Sequence, residues 1–188
     1  MTNDMLDPSD LAYLPGAPFT EQEVDDAVEA IRNAAGWHIA PERVDSAVPL
    51  DVVHAEPVLR LPTRKLVSVE EVRNADTGAA VDAARYRVSR ARGRIRRRSG
   101  FWPAGYEAVE VDFTHGYEEC PADLKPVVGQ YILASRRDSS VRSVRVDDAS
   151  VDYQAASTNL TPTSPSVAAL AGYQVLRRYS LPEFAGIG

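Results

Sequence analysis

The sequence predicts an α+β protein: a small helical bundle of three main helices with an inserted antiparallel β-sheet and extended N- and C-terminal arms. Three observations carry this. A capped amphipathic helix occupies residues 20–36, period-two alternation dominates residues 48–116, and helical spacing returns after Cys120. At 188 residues with 44% hydrophobic content, the chain has length for one domain and enough apolar side chains for a core. Within that single domain the expected parts are an N-terminal arm at 1–19, helical parts at 20–47 and 121–181, a β-rich insert at 48–118, and a C-terminal docking tail at 182–188.

Residues 1–18 carry Pro8, Pro15, Gly16 and Pro18 without an apolar period and read as an arm. Thr20 then suits an N-cap, Glu23 completes a capping box, and Phe19 is placed to staple against Val24. Val24, Ala27, Val28, Ile31 and Ala35 form one stripe, which turns Asp25, Asp26 and Glu29 outward, and Gly36 suits the left-handed position that ends a helix.

Strands are expected at 58–61, 66–73, 80–82, 85–89, 94–98 and 107–114, with Asp76-Thr77-Gly78 and Gly93 as turns, all in one half-buried sheet. The clearest is Val109-Glu110-Val111-Asp112-Phe113-Thr114, which breaks at His115-Gly116-Tyr117. A second helix spans about 121–138 with Leu124, Val127, Val128, Tyr131 and Ile132 on one stripe and Arg136 and Arg137 in its last turn. Pro126 requires that helix to kink or to begin near Lys125, because an internal proline costs about 3 kcal/mol. Residues 139–163 have only a weak alternation through Val144, Val146, Val151 and Tyr153. Ser164 and Pro165 read as the start of a third helix that runs to Leu181-Pro182, beyond which Phe184 and Ile187 suggest an apolar peg.

Charge is distributed unevenly. The net charge is −6, yet Arg85, Arg87, Arg90, Arg92, Arg94, Arg96, Arg97 and Arg98 fall in one stretch with no acid, so the other 13 basic residues face 27 acidic ones. The first thirty-one residues hold eight acids and no base, among them Glu21, Asp25, Asp26 and Glu29, an expected acidic face. Segregation of this kind favours docking of copies or folding of one pole on the other. The arginine block has three readings: a solvated hairpin paired with nearby acids, a dock for an acidic protein surface through bidentate guanidinium forks, or contact with DNA phosphates as a nucleic-acid-binding module. Trp37 and Trp102 are core anchors or interface residues, and the loop context of Trp102 favours the interface.

Phosphate-binding GxxxxGK[ST] and GxGxxG, metallopeptidase HExxH and hydrolase GxSxG patterns do not occur, so no catalytic residue is assigned. His38, His54, His115 and Cys120 lack ligand spacing, so neither a metal nor a cofactor is expected, and a hydrogen-bonded structural His115 is the preferred reading. The single cysteine, expected to be small and buried or capping, fits a reducing compartment. The first basic residue is Arg32 and no apolar run reaches membrane-spanning length, so a soluble intracellular chain without membrane contact is expected.

In order along the chain, Gly36-Trp37-His38-Ile39-Ala40-Pro41, Leu59-Arg60-Leu61-Pro62-Thr63-Arg64, Leu66-Val67-Ser68-Val69, Trp102-Pro103, Val111-Asp112-Phe113-Thr114-His115-Gly116-Tyr117, Cys120-Pro121-Ala122-Asp123-Leu124 and Leu176-Arg177-Arg178-Tyr179-Ser180-Leu181-Pro182-Glu183-Phe184 carry a resemblance. The chain resembles the head-to-tail connector, or adaptor, proteins of tailed bacteriophages, those of actinobacteriophages in particular. The resemblance implies a non-enzymatic virion subunit, assembled in the host cytoplasm, that forms a ring of typically twelve copies under the portal. It also implies contact with the next neck, head-closure or tail-terminator protein, and passage of duplex DNA through the ring without sequence-specific contact. Tyr179, Leu181, Pro182, Phe184 and Ile187 are then expected to dock on the portal, and the arginine block with Trp102 to meet a neighbouring subunit or partner. The β-rich insert and the 139–163 connection depart from the smaller members.

Overall fold

The computed structural model describes residues 4–136, 143–146, 149–152 and 172–181. It is α+β, and its chain contacts divide into two compact units, Met1–Gly36 with Cys120–Gly188, and Trp37–Glu119.

The first unit holds the helices. Helix α1 (Glu21–Ala35) begins where Thr20 accepts the Glu23 N–H and Glu23 reciprocates on the Thr20 N–H, and it ends at Gly36 with φ +80°. Its stripe of Val24, Ala27, Val28, Ile31 and Ala35 is fully buried, each of the larger side chains contributing about 1.5–3 kcal/mol. The segment before it, expected as an extended arm, forms a 3-10 turn at Pro8–Leu11 and buries Met5, Leu6 and Leu11. Helix α2 (Lys125–Arg136) takes the late start. Pro126 is its second residue, inside the first turn where backbone N–H groups have no helical partner, so no bond is lost. Arg137 lies outside the described residues. Strands β7 (Ser143–Val146) and β8 (Ala149–Asp152) pair antiparallel, giving a short hairpin inside the stretch expected to lack firm structure. The last helix, here α3 (Gly172–Tyr179), is followed by Leu181, whose N–H donates to Ala35 O at 2.9 Å. The expected start at Ser164-Pro165 and the peg residues Pro182, Phe184 and Ile187 lie outside the described residues.

The second unit is two three-stranded antiparallel sheets rather than one. With β1 (Arg43–Val52), β2 (Val58–Arg60), β3 (Leu66–Asn74), β4 (Tyr86–Ser89), β5 (Arg94–Arg97) and β6 (Gly105–His115), their orders are β1-β6-β3 and β2-β5-β4. Strand β6 is central because its odd positions Val109, Val111, Phe113 and His115 all point inward and are buried. Both sheets close on one core: Val72, Val109, Val111 and Phe113 from the first, Leu59, Tyr86 and Ile95 from the second. Strand β1 was not expected. Ala47 sits at φ +51° and the register slips between Asp45 and Val48 and between Leu50 and Val52, which erases the alternation. The strand expected at 80–82 reduces to one bridge, Arg73 to Ala80.

Candidate interaction site

The arginine block folds as a hairpin. Strands β4 and β5 are joined by a 3-10 turn at Arg90–Arg92 that ends on Gly93 at φ +55°, ψ +46°. Glycine is required twice over: the backbone is left-handed, and a Cβ at this position would lie 2.1 Å from Thr63 O. Register then fixes the charges. Arg87 stands opposite Arg96, Arg96 opposite Val58, and Arg94 lies between Ser89 and Arg60. Ile95 and Tyr86 turn into the core, so Arg60, Arg87, Arg94 and Arg96 share the other face.

Cross-strand pairs of like charge oppose the fold, and here two occur, Arg87 with Arg96 and Arg60 with Arg94. Glu56 lies 3.7 Å from Arg60 of this face. No ion pair forms at any of the eight block arginines among the described residues. At one end of the hairpin, Arg87, Arg96, Arg97 and Arg98 line a cleft of about 320 Å³. Arg97 stacks on the Trp102 ring at 4.6 Å with its Nε buried and unbonded. The structure therefore offers a guanidinium surface on three strands that carry no acid of their own, able to take carboxylates or phosphates.

Trp102, expected at an interface, is 1% exposed: its backbone N–H donates to Glu56 O, and its ring closes the core beside Tyr86. Its surface is spent inside the sandwich, so it presents no ring to a partner. Of the expected acidic face, Glu21, Asp26 and Glu29 are exposed and Asp25 is half-buried, and Asp26 accepts from Gln22 at 2.7 Å. Of the expected docking residues, Leu181 is buried in the helical unit and the Tyr179 hydroxyl donates to Asp123 at 2.6 Å.

A second charged surface was not anticipated from sequence. On the outer side of the β1-β6-β3 sheet, Arg73 sits amid three acids: it bonds Asp112 at 3.0 Å and lies 3.5 Å from Glu71 and 3.9 Å from Glu110, while Glu70 accepts from Thr114 Oγ1 at 2.9 Å. The signal was present in the alternation of β6, whose outward positions include Glu110 and Asp112.

The histidine expected to be structural is so. His115 is 1% exposed, and its Nε2 donates to Asp45 at 2.8 Å. Burial pushes its pKa down against the opposing pull of Asp45. His38 Nε2 donates to Pro41 O at 2.7 Å, and its ring lies 4.4 Å from that of His115. Tyr117 N–H donates to Ile39 O at 2.8 Å, so the Trp37–Pro41 turn and the end of β6 form one cluster. Gly116 lets them meet: a Cβ there would lie 2.6 Å from Pro41 O. His54 is exposed. Cys120 is buried, and burial pushes its thiol up to about 12. Among the described residues no group of His, Cys, Asp and Glu is arranged to hold a metal, and no helix is long and apolar enough to cross a membrane.

No family model matches the chain, and no curated protein matches it. Among solved structures it is similar to a chain in the neck of an empty gene transfer agent particle computed with C6 symmetry, at 22% identity over 76% of this chain and 78% of that one, with a TM-score of 0.44. It is also similar to a chain in the neck of the native particle computed with C12 symmetry, at 23% identity over 80% and 87%, with a TM-score of 0.44. A chain of the native gene transfer agent virion gives 21% identity over 76% and 78%, with a TM-score of 0.42. Likeness at this level assigns neither family nor function to the chain.

Proposed function

We propose that the chain is a structural head-to-tail adaptor subunit of a phage-type virion. In this reading it forms a ring under the portal, extends the DNA channel and joins the capsid to neck or tail proteins without transforming a substrate. The observation that carries the reading is the arginine sheet, whose strands carry no acid, a surface shaped by register for a carboxylate-bearing protein partner. The ordered motifs from the Trp37 turn to the Leu181 segment support it.

The adaptor subunits would be held to the portal by the apolar residues after Leu181, Phe184 and Ile187 with Pro182. Leu181, which directly precedes them, is buried in the helical unit, where Tyr179 bonds Asp123. The exposed acids of α1, Glu21, Asp26 and Glu29, would face the channel or an adjacent copy, where repulsion from phosphates lets DNA slide. Deleting residues 182–188 should leave the fold intact, as judged by circular dichroism, and abolish attachment to purified portal rings. Unimpaired attachment would remove the tail from the mechanism, and absence of the chain from mature particles would end the adaptor reading.

The arginine sheet also favours a second reading, a nucleic-acid-binding module. That reading requires duplex binding whose log–log salt slope approaches about −0.9 per phosphate neutralised.

A further inference from the structure

The β unit is electrically two-faced. Strands β2, β5 and β4 carry five arginines and no acid, while β1, β6 and β3 carry seven acids and two arginines. Both sheets turn their apolar sides into the same core, so the charged sides look away from it on different sides of the unit. One displays Arg60, Arg87, Arg94 and Arg96, and the other displays Glu70, Glu71, Glu110 and Asp112 around Arg73.

We infer that the arginine face of one copy docks on the outer acidic face of the β1-β6-β3 sheet of a second copy. Three observations favour this partner. The acidic face has more carboxylates than its single guanidinium can neutralise, and the arginine face has more guanidinium groups than Glu56 can, so each supplies what the other lacks. Both lie on paired strands, where charges recur at about 6.7 Å along a strand and about 4.8 Å across it; Arg87, Arg94 and Arg96 follow that spacing on one face and Glu71, Glu110 and Asp112 on the other, while Glu70 stands at the β3 bulge. The chain as a whole is acidic at −6, which repels a nucleic-acid polyanion but leaves a local acidic patch of the same chain accessible.

The two faces are different surfaces, so the contact is heterologous. A docked pair leaves one free face of each sign, and the assembly grows head to tail until it closes. The contact needs only two copies of the chain, so it stands or falls apart from the portal assignment.

Sedimentation velocity on the full chain tests it, at about 50 mM and about 500 mM salt, where the screening length falls from over 10 Å to under 5 Å. Wild type should form concentration-dependent larger species at low salt that dissociate at high salt, with apparent affinity falling about tenfold or more. The basic-face variant R87S/R94S/R96S and the acidic-face variant E70Q/E71Q/E110Q should each remain monomeric alone, with circular dichroism spectra like wild type. Mixed, they should form a dimer that grows no further, because only one intact pair of faces is present. A wild type that is monomeric in both salts, variants that associate like wild type, or a mixture that stays monomeric while wild type associates would each overturn the proposal. So would salt-sensitive binding of a 30-base-pair duplex that the R87S/R94S/R96S variant loses, which would assign the arginine face to phosphates.

Discussion

Gly93→Ala tests whether the hairpin is held by one close approach. Gly93 and Gly78 both occupy left-handed turn positions, φ +55° and +66°, so alanine meets a similar backbone penalty of about 1–2 kcal/mol at each. A more restricted unfolded chain offsets about 0.4–1 kcal/mol of it. Space separates them: nothing lies within 4 Å of a Cβ at Gly78, whereas at Gly93 the Thr63 carbonyl oxygen is at 2.1 Å and the Thr63 carbonyl carbon at 3.1 Å. Ordinary contact is about 3.4–4 Å, so β5 must move by more than 1 Å. The hydrogen bond from Leu61 N–H to Gly93 O, 2.8 Å, then fails. A lost backbone bond costs about 0.5–1.5 kcal/mol and local overpacking about 1–3 kcal/mol. Gly93→Ala should therefore lose about 2–4 kcal/mol more than Gly78→Ala in urea unfolding followed by tryptophan fluorescence, since Trp102 reports on this core. If the two variants agree within about 0.5 kcal/mol, the close approach does not hold the hairpin.

The opposed arginines give a second expectation: Arg96→Ser and Arg87→Ser should each stabilise the isolated chain by about 0.2–1 kcal/mol in low-salt urea titrations, and the double variant should gain less than the sum. Additive or destabilising effects would show that the guanidinium groups do not repel across the strands. Protonation gives a third. His115 is buried with Nε2 on Asp45 and Nδ1 unbonded, so its folded pKa lies below the ordinary value of 6.5 and the unfolded chain takes up the proton first. Its contribution is complete above that value and is lost as pH falls through it. Burial raises the Asp45 carboxyl, but the His115 hydrogen bond and Arg43 outweigh this and hold it below 3.8, so its contribution is lost in a lower window. His115→Gln should flatten the fall in melting temperature between about pH 7 and pH 5, and an unchanged profile would refute the assignment.

Local signals were legible in the sequence, and non-local ones were not. Helix α1 could be read to the residue at its start because Thr20, Glu23 and the buried stripe act within four residues of one another. The late start of α2 followed from the covalent chemistry of Pro126 alone. Strand β1 escaped because most of its residues are exposed and two register slips break its period, and its pairing with β6 joins residues more than fifty positions apart. The position of Trp102 was misread for a related reason. Gly100 and Pro103 describe a loop, but burial is set by the Glu56 carbonyl and the Arg97 guanidinium, which arrive from elsewhere in the chain. The basic half of the candidate surface stood in one run of sequence. Of the acidic half, Glu110 and Asp112 show in the alternation of β6, but their meeting with Glu71 and Arg73 on one face is set by the pairing of β3 with β6.

Display of charge and packing of the core are one decision in this hairpin. Arg94-Ile95-Arg96 alternates at the period of a strand, so a slip of one residue against β4 would bury two guanidinium groups and expose Ile95. The desolvation of those charges exceeds anything the hairpin could regain, and the register is therefore fixed by the same Ile95 and Tyr86 contacts that fill the core. What the fold gives up for this is modest: cross-strand repulsion of a few tenths to about 1 kcal/mol per pair, spread over a sandwich whose core it does not touch. In return the four guanidinium groups stand on paired backbone rather than on loops, so no backbone freedom has to be lost when carboxylates arrive. In the proposed contact a cluster that weakens the isolated chain is relieved by an acidic surface, and the geometry that presents it is held by the close approach of Gly93 and Thr63.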